Sequence, residues 1–164
     1  MNITIINTGG TFNKRYNPLK GILEVAHDNT SLNKIISSCH NIEFTIHNII
    51  SKDSLDMTDI DRQVITEKVM QSKDDKIIII HGTDTVDLTS AFLRKQKLNK
   101  KIVFTGAMVP MSIDEVEATM NFSLSLGFLS AEVNEGIYLA MHGVVVEATK
   151  LLKDRKKGQF LISE

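Results

Sequence analysis

Two short segments of this sequence combine glycine with threonine hydroxyls, and each directly follows an apolar run. Residues 3–7 lead into Thr8-Gly9-Gly10-Thr11, and four isoleucines at 77–80 lead into His81-Gly82-Thr83-Asp84-Thr85. A threonine hydroxyl is a poor nucleophile at neutral pH and needs a base, while a second hydroxyl and a carboxylate can position a polar substrate or relay a proton. Backbone N–H groups of the Gly9-Gly10 and Gly82-Thr83 turns could stabilise an oxyanion. These residue types suit acyl transfer.

The base for this chemistry could be a lysine held partly neutral, as in serine–lysine variants of the catalytic triad. His81 precedes its turn, and we expect it to hold the loop by hydrogen bonds. Asp84, taken alone, favours a simpler interpretation as the cap of the following helix. The spacing of His81, His142 and Asp84 fits no pattern of metal ligands, so we expect neither a metal nor an organic cofactor.

The elements that carry these segments alternate between strands and helices. The isoleucine run is too short for a helix and suits a parallel strand covered on both faces. Further patterns predict strands over 3–7, 42–50, 101–105, 136–141 and 144–148, and helices over 30–39, 58–72, 86–97 and 114–132. This alternation predicts an α/β, flavodoxin-like three-layer sandwich whose mostly parallel sheet has the order 2-1-3-4-5. In that order the loops with Thr11 and with Thr83 emerge side by side where the chain reverses direction, forming one site.

Two further segments are expected to be loops near this site. Residues 12–29 show no helical period and contain Pro18 and Gly21, so we expect a loop long enough to act as a lid. Tyr16 is the side chain in it most able to reach a ligand. Residues 51–57 form a second polar loop.

Length and composition are those of one globular domain. The 164 residues, with 42% hydrophobic and 24% charged side chains, suffice for a core, and we expect a single domain over 1–164. A net charge of −1 gives no reason to expect nucleic acid or an anionic membrane as a partner. The sequence has one cysteine, Cys39, no leader pattern and no apolar run near the length of a membrane span, which indicates a cytoplasmic protein.

Three motifs together resemble the bacterial-type L-asparaginase and glutaminase family. They are Thr8-Gly9-Gly10-Thr11-Phe12, His81-Gly82-Thr83-Asp84-Thr85 and Thr105-Gly106-Ala107-Met108-Val109-Pro110, in the family's order and with similar spacing. Ser54-Leu55-Asp56-Met57 resembles a fourth motif, and Leu151-Leu152-Lys153-Asp154-Arg155 resembles the segment with the family's catalytic lysine. The likeness covers essentially the whole chain but only the family's N-terminal domain, so the chain resembles a short form of the family.

The resemblance implies hydrolysis of the side-chain amide of a small amino acid, asparagine before glutamine, through an acyl-threonine intermediate. It implies that Thr11 is the nucleophile, that Thr83, Asp84 and Lys153 form a second catalytic group, and that Tyr16 assists Thr11 from the lid. The resemblance also implies substrate contacts. Ser54 would bind the α-carboxylate, Asp84 the ammonium, and the Ala107 carbonyl the leaving nitrogen. The turn glycines Gly10 and Gly82, and the residue at the position of Leu55, would also contact the substrate.

Two departures from the family pattern keep a second class of function open. Leu55 stands where the family has a polar substrate-binding residue, and the family's C-terminal domain, which closes the site from a neighbouring subunit, has no counterpart. A homo-oligomer, dimer or tetramer, in which another copy covers the site is one hypothesis. A non-catalytic relative that binds a small amino acid or a protein is the alternative. The basic cluster Lys153, Arg155, Lys156 and Lys157 would, without the resemblance, be a solvated face.

Overall fold

Short strands alternate with helices along the part of the chain that the structure, a computed structural model, describes, residues 1–163. The strands are β1 (Asn2–Gly9), β2 (Lys14–Asn17), β3 (Ile22–Val25), β4 (Glu43–Lys52), β5 (Lys76–Ile80), β6 (Lys101–Thr105), β7 (Gly136–Met141), β8 (Val144–Glu147), β9 (Leu151–Asp154) and β10 (Gln159–Ile162). The helices are α1 (Thr30–Ile36), α2 (Asp59–Gln71), α3 (Val86–Arg94) and α4 (Glu115–Ser130), with 3-10 turns at Thr11–Asn13 and Ser54–Asp56.

A central sheet has the order β4-β1-β5-β6-β7-β8. Its first five strands run parallel, and β8 joins the edge antiparallel to β7. The predicted α/β fold is therefore confirmed: the parallel strands follow the order 2-1-3-4-5, and β8 is an added edge strand.

The isoleucine run of β5 is covered on both faces of the sheet. All four side chains are fully buried; Ile77 and Ile79 belong to one hydrophobic cluster, while Ile78 and Ile80 belong to the other. Residues of α2 and α3 complete the first cluster, and residues of α1 and α4 complete the second. Burial on both sides explains why this strand is continuously apolar rather than alternating.

The prediction of a plain loop over residues 12–29 is wrong, because β2 and β3 pair there as an antiparallel hairpin. Its turn closes with a hydrogen bond from the Gly21 N–H to the Asn17 carbonyl at 2.8 Å. Another hairpin, β9–β10, was also not predicted. Strands of four residues that pack little apolar surface leave no alternating hydrophobic pattern to read. Helices α1 and α3 end at Ile36 and Arg94, a turn earlier than expected.

The turn after β1 packs against the turn after β5, backbone to backbone. Gly10 has a φ of +68°, and a Cβ added there would lie 2.4 Å from the Gly82 Cα and 2.5 Å from its nitrogen. Thr8 strengthens this junction by donating from Oγ1 to the Ile80 carbonyl at 2.7 Å. The two threonine-containing segments are therefore adjacent in space.

Replacing Gly10 with alanine should cost far more stability than replacing Gly21. Both glycines have a φ of +68°, but a Cβ at Gly21 would meet nothing within 4 Å. We expect Gly21→Ala to lower the free energy of unfolding by about 1–2 kcal/mol through backbone strain, and Gly10→Ala by about 1–3 kcal/mol more through overlap with Gly82. Urea denaturation of both variants measures the difference, and equal losses would contradict the packing of the two turns.

Candidate active site

Lys153 on β9 joins the two polar residues that follow β5. Its Nζ donates to Thr83 Oγ1 and to Asp84 Oδ1, both at 2.8 Å. Thr83 and the lysine side chain are largely buried, with 6% and 14% exposure, so water screens these contacts little. The structure thus brings together the hydroxyl, carboxylate and amine that the motifs predict.

Ser54 ties the second polar loop to the same cluster. Its Oγ accepts a hydrogen bond from the Asp84 N–H at 3.2 Å, and its carbonyl accepts one from Thr85 Oγ1 at 2.7 Å. A Cβ at Gly82 would lie 2.6 Å from Ser54 Oγ, so glycine is required for this close approach. The neighbouring Leu55 is 64% exposed.

Thr11 is half-buried at the start of the 3-10 turn that follows Gly10. One part of the oxyanion prediction is wrong, since the Gly9 N–H donates to Asn7 Oδ1 at 3.0 Å and the Gly10 N–H to the Lys52 carbonyl at 2.9 Å. Donors that already hold intramolecular acceptors cannot also bind a developing charge. The N–H groups of Gly82 and Thr83, which make no such bond within residues 1–163, remain the candidates.

Tyr16 lies on β2, and its side chain is 63% exposed. It lines a cavity with Arg15, Pro18 and His27 and makes no hydrogen bond to the Thr83 cluster. Within residues 1–163 no hydrogen bond joins the Tyr16 side chain to the other predicted residues, and its role as a lid residue stays a prediction.

Ala107 is buried in the loop after β6, close to the loop after β5. A Cβ at the preceding Gly106 would lie 2.4 Å from the His81 carbonyl. Asn121 of α4 holds this loop by donating to the Gly106 carbonyl at 3.0 Å. The loop thus forms a third wall of the site.

Sequence reasoning missed a polar chain that links this third wall to the lysine hairpin. The Glu117 carboxylate accepts the N–H groups of Met108 and Val109 at 2.9 Å, and also the His142 Nε2–H at 3.1 Å. His142 Nδ1 in turn accepts the Phe160 N–H of β10 at 3.2 Å. In this arrangement Nε2 is the donor of the ring and Nδ1 is its acceptor.

Arg155 was also missed, because its neighbours in sequence are the exposed Lys156 and Lys157. Its Nη1 donates to Asp84 Oδ1 at 3.0 Å, and its Nη2 donates to the Asp84 carbonyl at 2.9 Å. The Asp84 side chain is therefore engaged with two cations and does not cap α3. In the sequence Arg155 looks like its solvated neighbours, and only its contacts with Asp84 in the fold distinguish it from them.

Asp53, next to Ser54, adds a second carboxylate near Lys153. Burial would raise the pKa of the Asp53 carboxyl, but hydrogen bonds from Lys14 Nζ and from the Leu55 N–H outweigh it and hold that pKa below its ordinary value. Lys14 lies 2.5 Å from Asp53 and comes from β2. This ion pair attaches the base of the β2–β3 hairpin to the site.

His81 has the structural role that the sequence predicts. Its Nδ1 donates to the Gly82 carbonyl at 2.7 Å, and its Nε2 accepts from Thr89 Oγ1 at 2.8 Å. Burial lowers the pKa of His81 to about 4, against the opposing effect of the bond to Gly82. The imidazole is therefore neutral and holds the turn between β5 and α3.

Acid should weaken the fold through His81. As the pH falls from about 6.5 to about 4, the unfolded chain binds a proton on His81 that the native state excludes, so the free energy of unfolding falls by about 3 kcal/mol. Urea denaturation across this range measures the loss. His81→Gln should be less stable at neutral pH, but its free energy of unfolding should depend less steeply on pH than that of the wild type. His40→Gln, at an exposed position, is the matched control and should keep the wild-type slope. A His81→Gln slope as steep as the wild type would contradict this prediction.

Residues 1–163 contain neither a cluster of metal ligands nor a membrane-spanning helix. No group of three or more His, Cys, Asp or Glu side chains is placed to hold a metal ion. No helix there is long and apolar enough to cross a membrane.

Comparison with known proteins agrees with this fold. The family model described as "Asparaginase, N-terminal" matches residues 2–158, and the chain belongs to that family. The thermostable L-asparaginase from Thermococcus kodakarensis has the same fold, with a TM-score of 0.85 at 24% identity over 99% of this chain and 51% of that one.

Curated relatives carry two different names. A glutamyl-tRNA(Gln) amidotransferase subunit from Pyrococcus abyssi is 29% identical over 147 residues, which are 86% of this chain and 33% of that protein. The L-asparaginase of Thermococcus kodakarensis is 26% identical over 162 residues, which are 96% of this chain and 49% of that protein. The chain therefore spans a third to a half of the length of these relatives.

Proposed function

We propose that this protein is an amidohydrolase that cleaves the side-chain amide of L-asparagine, or of a related small amide such as glutamine, to the acid and ammonia. The observation that carries the proposal is the bond from Lys153 Nζ to Thr83 Oγ1 at 2.8 Å, beside the backbone junction of Gly10 and Gly82. An amine bonded to a hydroxyl is the arrangement that activates an oxygen nucleophile once the amine is neutral.

In the first half of the proposed reaction, Thr11 Oγ1 gives its proton to the Thr83–Lys153 pair as it attacks the amide carbonyl carbon and forms a new C–O bond. The oxyanion that results lies against the N–H groups of the Gly82-Thr83 turn, where preorganised donors lower its energy. The C–N bond then breaks, and the nitrogen leaves as ammonia after taking up the proton that Thr11 released. In this mechanism the Ala107 carbonyl accepts hydrogen bonds from the departing nitrogen.

In the second half, water hydrolyses the ester on Thr11. Neutral Lys153 takes a proton from the attacking water through the Thr83 hydroxyl, and Asp84 stabilises the ammonium that forms on the lysine. The bond from the acyl carbon to Thr11 Oγ1 then breaks, and the same proton returns to Thr11. Ser54 and the turn glycines position the remainder of the substrate. Turnover therefore requires the hydroxyls of Thr11 and Thr83 together with the amine of Lys153.

Removing any of these three groups should abolish ammonia release. We expect Thr11→Ala, Thr83→Val and Lys153→Met each to lower kcat by at least about 100-fold, because nucleophile or proton transfer is lost. A coupled assay for ammonia from L-asparagine and L-glutamine measures this.

Thr149→Ala and Lys156→Met, both at exposed positions, are the matched controls and should retain activity. Circular dichroism should show that each variant is folded. A Lys153→Met variant with most of its activity would show that the lysine has another role. A wild-type protein that releases no ammonia from any amide would favour the binding alternative.

We further propose that a second copy of the chain covers the site in a homo-oligomer, and that the protein works in the cytoplasm. Leu55 and Leu152 are exposed beside the Asp84 cluster, and Leu161 is exposed next to Leu152 on the hairpin. Apolar side chains around a cleft of this kind suit coverage by another protein surface.

Disrupting this surface should dissociate the oligomer. Sedimentation velocity of the wild type should show a dimer or tetramer, and Leu161→Glu should shift it towards the monomer with a parallel loss of ammonia release. Leu19→Glu, on the β2–β3 turn and 95% exposed, is the matched control. A wild type that sediments only as a monomer would refute the proposal.

A further inference from the structure

The carboxylate of Asp84 is shared between two cations of the β9–β10 hairpin. Asp84 Oδ1 accepts hydrogen bonds from Lys153 Nζ at 2.8 Å and from Arg155 Nη1 at 3.0 Å. Arg155 Nη2 also donates to the Asp84 carbonyl, at 2.9 Å. A guanidinium that donates to two acceptors of one residue has a fixed orientation as well as a fixed position. Arg155 therefore brings an oriented positive charge to the edge of the site.

The ion-paired groups around this cluster leave one positive charge in excess. They are three cations and two anions: Lys14, Lys153, Arg155, Asp53 and Asp84. Asp87 lines the cavity of about 230 Å³ between α3 and the hairpin, but it is exposed and forms no ion pair with another residue in 1–163. With Asp87 counted, the charges around the cavity balance, so any preference between ligands comes from Arg155, whose N–H groups are not all taken up by Asp84.

We propose that Arg155 makes the site selective for small primary amides that carry a carboxylate and no ammonium group. The proposal rests on the amidohydrolase function and narrows its substrate class. An ammonium group that approaches Asp84 meets a carboxylate whose charge is already neutralised by Lys153 and Arg155, even though both cations bond Oδ1 and not Oδ2. A carboxylate instead meets the unused N–H donors of Arg155, a group suited to bidentate binding.

Leu55 supports the same preference from the other side of the cluster. It follows Ser54, whose Oγ contacts the Asp84 N–H, and its exposed side chain has no acceptor to offer an ammonium. Arg155 is itself 61% exposed, so solvent screens its charge. We therefore expect a preference of about tenfold, equivalent to about 1.4 kcal/mol.

Three amides separate the two charges of the ligand. Succinamate has the carboxylate without the ammonium, L-asparagine has both, and β-alaninamide has the ammonium without the carboxylate. We expect the kcat/KM of the wild type for ammonia release to fall in that order, with succinamate about tenfold above asparagine. Arg155→Gln should remove the advantage of succinamate over asparagine. Arg155→Lys should keep part of that advantage, because it retains the positive charge but lacks the paired N–H donors of the guanidinium.

Lys156→Gln removes the same charge one residue away and should leave the order unchanged, because Lys156 is exposed and does not bond Asp84. A wild type that prefers asparagine or β-alaninamide, or an Arg155→Gln variant with an unchanged ratio, would overturn the proposal while leaving amide hydrolysis intact.

Calorimetry with the two acid products tests the selectivity even if no amide is turned over. Succinate should bind the wild type more tightly than L-aspartate, and Arg155→Gln should lose this difference. Equal binding of the two acids, or tighter binding of aspartate, would overturn the proposal. Absence of ammonia from all three amides would count against the amidohydrolase function alone.

Discussion

The contact between Gly10 and Gly82 is the constraint on which the rest of the site depends. It exists because β1 and β5 are neighbours in the sheet, with Thr4 to Asn7 in register with Ile77 to Ile80. Two parallel strands end at the same edge, so the turns that follow them meet there. Side chains at both turns would keep the backbones apart, which is why glycine is needed at each. The proximity of Thr11 to Thr83 follows from this packing.

Buried hydrogen bonds then hold each turn in one conformation. Thr8 and His81 are both almost fully buried. Thr8 bonds the carbonyl of Ile80, the last residue of β5, and His81 bonds Gly82 in the following loop and Thr89 of α3. A satisfied buried polar group fixes geometry because losing its partner leaves a desolvated atom. As a consequence, the hydroxyls of Thr11 and Thr83 stand at a sheet edge held by buried hydrogen bonds, while Lys153 comes from the β9–β10 hairpin.

How far the sequence predicted this arrangement differs from element to element. Ile77 to Ile80 predict their strand because burial on both faces leaves a continuous apolar run, and the position of Thr83 and Asp84 follows from where that strand ends. The hairpins were missed because four-residue strands carry no period of their own. Lys153 was found only through resemblance to a family, and Arg155 was not found, since an ion pair between residues so distant in sequence has no local pattern.

The β9–β10 hairpin, which leads to Lys153 and Arg155, is held in place by side-chain hydrogen bonds rather than by pairing with the central sheet. Its buried residue Phe160 donates its N–H to His142 Nδ1, and His142 Nε2 is bonded to Glu117. Glu117 also holds the backbone beyond Ala107, so one carboxylate is connected both to the loop of Ala107 and to β10, the strand that pairs with the strand of Lys153. The proposed reaction needs these two groups close to the same amide, because an acid–base residue must reach the reacting atoms within hydrogen-bond distance. A single polar chain connects them, although neither belongs to the strands that place the threonines.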